Sequence, residues 1–122
     1  MPRYGVRTSR PTADRFLEMT EAGSTDRVRA LRAYSILDTP PEEAFDDLAR
    51  LAALICQTPI ALVNMVDDAR VWSKSNIGFL AKEVARNCSF CDVTVQGKEV
   101  LTVSDSLEDR RFSHLPMVVS DP

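Results

Sequence analysis

The segment from Pro59 to Val66 limits the possible folds more than any other part of this sequence. It reads Pro-Ile-Ala-Leu-Val-Asn-Met-Val, a run of apolar and β-branched residues that only Asn64 interrupts. Such a run is typical of a β-strand that is buried on both faces. A strand of this kind needs other structure packed on each side of it, so we expect a layered domain that contains both helices and strands.

Two helices are predicted before this strand, over residues 27–36 and 41–57. Proline is tolerated in the first turn of a helix, and the acidic Glu42 and Glu43 follow Pro41 where the helix dipole favours negative charge. In the second helix the apolar residues recur at spacings of three and four, which predicts that one face packs on a flat partner: Phe45, Leu48, Leu51, Ala52 and Ile55.

The segments after Val66 predict the rest of a sheet. Residues 67–70 are a polar turn, and residues 71–76 alternate like a strand with one wet face, so residues 59–76 are predicted to form an antiparallel hairpin. Residues 77–87 are predicted to be a loop, and residues 100–103 a further short strand. The fold class that follows is α+β, a helix layer packed on an antiparallel sheet.

Length and charge restrict the domain count and the partners. The 122 residues fit one domain, with residues 1–24 predicted to be a disordered arm and residues 25–122 the folded part. The 15 basic and 18 acidic residues give a net charge of −3, which favours neither a nucleic acid nor a membrane as the main partner. Without an export signal or an apolar run of about 20 residues, the expected location is the cytoplasm.

The cysteines raise one catalytic alternative. Cys88-Ser89-Phe90-Cys91 has the C-x-x-C spacing in which one thiolate can attack and the other resolve, and Arg86 is near enough in sequence to lower a thiol pKa. A zinc site is not expected, because the chain has no second short pair of ligands. A thiol redox sensor or reductase that acts through Cys88 and Cys91 is therefore kept as an alternative to inward packing of Phe90 and Cys91.

The candidate ligand-binding residues come from the hairpin and from the segment around residue 90. Asn64 is a polar side chain on a strand predicted to be buried, so it needs a partner in the protein or in a ligand. We expect any pocket to involve the following residues: Asn64, Trp72, Lys74, Phe90 and Cys91. No catalytic residue, metal or cofactor is predicted, since the single histidine, His114, lies in a polar loop without a nucleophile motif.

In the order of its motifs the chain resembles the GAF domains of bacterial sensor kinases and cyclic-dinucleotide enzymes. The resemblance rests on residues 29–46, 59–63, 89–91 and 105–112, which read RALRAYSILDTPPEEAFD, PIALV, SFC and DSLEDRRF. It implies a GAF/PAS-like antiparallel sheet with packed helices that lacks its last strands, so a fragment of a longer protein is expected. Tetrapyrrole-binding relatives commonly have His after the cysteine that matches Cys91, whereas this chain has Asp92, so no bilin is expected.

The function that the resemblance implies is regulation. A GAF-type domain binds a small effector, dimerises through its helices, or does both, and thereby controls an attached histidine kinase or cyclic-dinucleotide enzyme. Residues 27–36 and 41–57 are the expected homodimer surface. On this interpretation the chain itself is not an enzyme.

Overall fold

An open antiparallel sheet has a long helix on one face and short helices, turns and loops on the other. The structure is a computed structural model that describes residues 26–120, so the predicted arm, residues 1–24, lies outside the described residues. The helices are residues 26–33 (α1), Glu43–Cys56 (α2), Cys91–Thr94 (α3) and Pro116–Val119 (α4). The strands are Ala61–Val66 (β1), Arg70–Ile77 (β2) and Glu83–Ala85 (β3), and Arg86–Cys88 forms a 3₁₀ turn.

The sheet has the order β1-β2-β3, and all pairs are antiparallel. The predicted α+β class and the predicted hairpin are therefore confirmed. Within residues 26–120, β1 pairs only with β2, so the sheet is open along the other edge of β1, as an incomplete fold requires.

A β-bulge in β2 determines which side chains face the helices. Val63 pairs with Ser75 and Asn64 with Ser73, which leaves Lys74 as an extra residue between two pairs. Such an extra residue breaks the strict alternation of a strand. As a result, Lys74 and Ser75 both contact the segment that contains α2, through Glu42 and Asp46.

Two sequence predictions about strands are wrong. Residues 77–87, predicted to be a loop, contain β3 and the 3₁₀ turn, because the chain reverses after Gly78 and Ser73 N donates to Lys82 O at 2.9 Å. A three-residue strand is too short to show a period of two. Residues 100–103 form no strand: Val100 is 91% exposed, and no neighbouring strand in the described residues offers them a hydrogen-bonded ladder.

The predicted packing face of α2 is also wrong in part. The helix meets the sheet through Phe45, Ala49 and Ala53, a row at a spacing of four whose alanines allow a close approach, and Ala49 is almost fully buried. By contrast, Leu48, Leu51 and Ile55 are each more than half exposed. Amphipathic spacing shows that a helix has an apolar face, but α2 has a second apolar row that the sheet does not cover.

The linker between α1 and α2 is bound to β2 by an ion pair between Asp38 and Arg70. Arg70 donates to both carboxylate oxygens of Asp38, at 2.9 and 2.6 Å, and also to Glu83 at 2.9 Å. The hydrogen bonds from Arg70 hold the pKa of Asp38 below its usual value. This contact fixes the linker over the turn end of the hairpin.

Candidate ligand-binding cavity

The face of the sheet opposite α2 forms the floor of a cavity. Its volume is about 400 Å³, within the range of small-molecule sites. Strands β1, β2 and β3 supply the floor, and the loop after Gly78 together with α3 and α4 supplies the walls. The lining residues include Leu62, Asn64, Val71, Ser73, Phe79, Ala81, Val84, Phe90, Cys91, Met117 and Val118.

An aromatic pair supports the wall of the cavity. The rings of Phe90 and Phe112 have centroids 4.6 Å apart and are tilted by 49°, a geometry that aromatic pairs favour. Phe112 and Leu115 are buried. The pair therefore joins α3 to the turns at residues 105–115, and the inward packing predicted for Phe90 agrees with this contact.

The polar groups on the floor bond mainly to one another. Ser73 Oγ donates to Asn64 Oδ1 at 2.6 Å, and Asn64 Nδ2 lies 3.5 Å from Cys91 Sγ. The partner that Asn64 was expected to need is therefore supplied by the protein. Asn64, Phe90 and Cys91, three of the five predicted ligand-binding residues, meet at this one cavity.

The other two predicted ligand-binding residues, Trp72 and Lys74, lie away from the cavity. Val71 and Ser73 line the floor, so Trp72 between them points to the helix face of the sheet. The Lys74 side chain is 0% exposed, and its ammonium contacts three groups of the linker: Thr39 Oγ1 at 2.7 Å, Pro40 O at 2.6 Å and Glu42 Oε2 at 2.7 Å. An ammonium has three donors, so Lys74 has no further N–H for a ligand.

Arg86 is a buried structural residue for which the sequence predicts a different role. It is 1% exposed; Nε donates to Asp92 Oδ1 at 2.8 Å and Nη1 donates to Asp67 O at 3.1 Å. These contacts tie α3 to the turn between β1 and β2. The sequence suggested instead an effect on a thiol. The sequence signal for this ion pair was the separation of only six residues between Arg86 and the acidic Asp92.

The three cysteines are free thiols. Cys91 lies on the cavity wall, whereas the Cys88 thiol donates to the adjacent Asn87 Oδ1 at 3.6 Å and does not line the cavity. Redox chemistry through this pair stays a prediction. Across residues 26–120, no three His, Cys, Asp or Glu side chains are grouped so that they could hold a metal ion.

A second groove, of about 620 Å³, runs along the open edge of β1 beneath α1. Arg27 lies in it and donates from Nη1 to Val66 O at 2.5 Å, while its Nη2 is buried without a partner in the described residues. Burial lowers the pKa of Arg27, and the charge of Arg86 lowers it further. The guanidinium thus bonds to the last carbonyl of β1.

Comparison with known proteins finds a similarity over part of the chain. No protein-family model matches the chain. Over 87 residues the chain is 34% identical to a cyclic di-GMP phosphodiesterase of Pseudomonas aeruginosa, a match that covers 71% of the chain and 15% of that enzyme. The chain thus matches a small part of its relative.

No described helix is both long enough and apolar enough to cross a bilayer.

Proposed function

We propose that this chain is a non-catalytic sensor domain of the GAF type, which binds a small effector in the cavity and so regulates an attached output domain. The output domain is a cyclic-dinucleotide enzyme or a histidine kinase. The proposal is supported by the cavity, by the order of motifs that resembles GAF domains, and by the partial similarity to a cyclic di-GMP phosphodiesterase.

The composition of the cavity wall carries the proposal. Among the described residues that line it, Glu83 and Cys91 are the titratable side chains, and Glu83 is ion-paired with Arg70 at 2.9 Å. General acid–base catalysis needs a titratable group held within reach of the reacting atoms, and often a second group of opposite role. A largely apolar wall, whose one acidic residue pairs with Trp72 in the sheet and so directs its carboxylate to the other face, suits retention of a ligand better than its conversion.

The test uses a matched pair of variants in one loop. Ala81 lines the cavity, whereas its neighbour Leu80 is 99% exposed. Ala81→Trp should fill the cavity, and Leu80→Trp should leave it open. In a thermal-shift screen of metabolites, we expect compounds that raise the Tm of the wild type and of Leu80→Trp to have no effect on Ala81→Trp.

Two results would contradict the proposal. One is a set of stabilising compounds whose effect Ala81→Trp leaves unchanged, which would place their binding elsewhere. The other is hydrolysis of cyclic di-GMP by the purified chain in the presence of Mg²⁺ or Mn²⁺, measured by chromatography of the products, which would show that the chain is catalytic.

We also infer that a second copy of the chain packs on the uncovered apolar row of α2. Leu48, Leu51 and Ile55 recur along the helix, and all are more than half exposed. Such a row can meet itself across a two-fold axis, which is the commonest symmetry of homodimers. The row is flanked by Asp47 and Arg50, which form an ion pair at 2.6 Å, so this flank carries no net charge that would oppose the approach of a second copy.

The dimer is tested by Leu51→Glu with Leu80→Glu as its control. Both leucines are exposed, so neither change should prevent folding, but only Leu51 lies on the α2 row. Sedimentation equilibrium should show a dimer that Leu51→Glu weakens by at least about tenfold, or about 1.4 kcal/mol, and that Leu80→Glu preserves. A monomeric wild type, or a dimer that is indifferent to Leu51→Glu, would refute it.

A further inference from the structure

The cavity that the proposed function requires is lined in a way that restricts its ligand. Most of the wall is aliphatic or aromatic, with Leu62 and Val71 on the floor and Phe90, Met117 and Val118 above it. Among the described residues, no lysine, arginine or histidine lines the cavity. Lys74, a cation of β2, lies on the other face and is fully engaged by the linker.

The polar groups on the wall are largely satisfied within the protein. Ser73 and Asn64 bond to each other, and Asn64 also contacts Cys91. Ser89 Oγ donates to Arg86 O at 2.7 Å and accepts from Asp92 N at 3.3 Å. These groups therefore offer few donors to an anion, and transfer of an uncompensated charge into such a site is costly.

The wall offers an anion no cation. Glu83 is the one charged residue among the described lining residues, but it pairs with Trp72 in the sheet and its carboxylate accepts from Arg70 at 2.9 Å, so its side chain is directed to the helix face. An anionic ligand would therefore lose its hydration without gaining a countercharge. Phosphates and carboxylates are usually bound by arginine, by lysine or by converging backbone N–H groups.

From these observations we infer that the cavity takes an uncharged, mainly apolar small molecule, and not a nucleotide or another anion. This inference rests on the proposed function, since it describes the ligand of the same site. A volume of about 400 Å³ exceeds the roughly 150 Å³ of an apolar cavity that holds benzene. The room is sufficient for a molecule of two or three rings.

The experiment compares two fluorescent probes that share one skeleton and differ in charge. N-phenylnaphthylamine is uncharged, and anilinonaphthalene sulfonate is the same molecule with a sulfonate. We expect the full chain to bind the uncharged probe at least about tenfold more tightly than the sulfonate, because no group on the wall offsets the loss of hydration of the anion. Ala81→Trp should abolish that binding, and Leu80→Trp should not.

A second pair of variants keeps the test valid if Ala81→Trp does not fold. Val118 lines the cavity from α4, while the adjacent Val119 is 66% exposed, so Val118→Trp should block the probe and Val119→Trp should spare it. Thermal unfolding of each variant confirms that it is folded before it is titrated.

The outcomes separate this inference from the proposed function. Tighter binding of the uncharged probe, lost in the blocking variants alone, supports the inference. Equal or tighter binding of the sulfonate, also lost in the blocking variants, overturns the inference and leaves the sensor proposal standing. Probe binding that neither blocking variant reduces overturns both. No binding of either probe overturns the inference alone, because the metabolite screen tests the sensor proposal with other ligands.

Discussion

Replacement of Gly78 by alanine, which adds a single methyl group, is expected to destabilise the domain strongly. Gly78 has a φ of 76°, in the left-handed region, and a Cβ there would overlap the carbonyl oxygen of Pro59. The unfavourable backbone and the displacement of Pro59 together should lower the free energy of unfolding by about 2–5 kcal/mol. Urea denaturation followed by circular dichroism measures the loss.

Gly97→Ala is the matched control. Gly97 has no positive φ, and the nearest atom to an added Cβ is Thr94 O at 3.9 Å. This change should alter the free energy of unfolding by less than about 1 kcal/mol. If Gly78→Ala were as stable as Gly97→Ala, the close approach of the chain after β2 to Pro59 would be wrong, and with it the position of the loop that lines the cavity.

The second large effect is expected at Arg86. Its guanidinium is 1% exposed and joins α3, through Asp92, to the turn between β1 and β2, through Asp67 O. Arg86→Met keeps the length of the side chain but leaves the carboxylate of Asp92 without this cation. Removal of one member of a buried ion pair costs about 3–5 kcal/mol, and because Asp92 is partly exposed we expect the lower end of that range.

The variant Arg50→Met tests whether the cost of losing a paired arginine depends on its burial. Arg50 also pairs with an aspartate, Asp47, at 2.6 Å, but both side chains are more than 60% exposed. Exposed pairs contribute about 0–1 kcal/mol, so chemical denaturation should show little change in this variant. Equal losses in Arg50→Met and Arg86→Met would contradict the structural role assigned to Arg86.

The elements with strong periodicity could be predicted from the sequence. The pattern of residues 59–76 predicts the hairpin. The sequence Pro-Pro-Glu-Glu predicts the start of α2 to within two residues of Glu43, where the helix begins. The burial of α2 could not be predicted, because two apolar rows share that helix and spacing alone does not show which one meets the sheet. β3 was missed since three residues cannot show a period.

The candidate site was predicted in part for a related reason. Asn64, Phe90 and Cys91 reach the cavity, but Trp72 and Lys74 lie on the opposite face of the sheet. Trp72 alternates with Val71 and Ser73, which line the cavity, so alternation alone places it on the helix face. Lys74 is the extra residue of a bulge that nothing in the local sequence marks. The sequence predicts an effect of Arg86 on the nearby thiols, because these are its neighbours along the chain. Its hydrogen-bond partner Asp67 lies 19 residues away and gives no local signal.

Amide chemical-shift mapping by NMR tests the central claim, that the domain binds an uncharged ligand in its cavity, most directly. Titration of the isotope-labelled chain with N-phenylnaphthylamine should shift the amides of Asn64, Ser73 and Cys91, which lie around the cavity. The amide signals of Leu51 and Ile55, on the exposed row of α2, should not shift. Shifts confined to that row, or no shifts at all, would contradict a ligand-binding cavity.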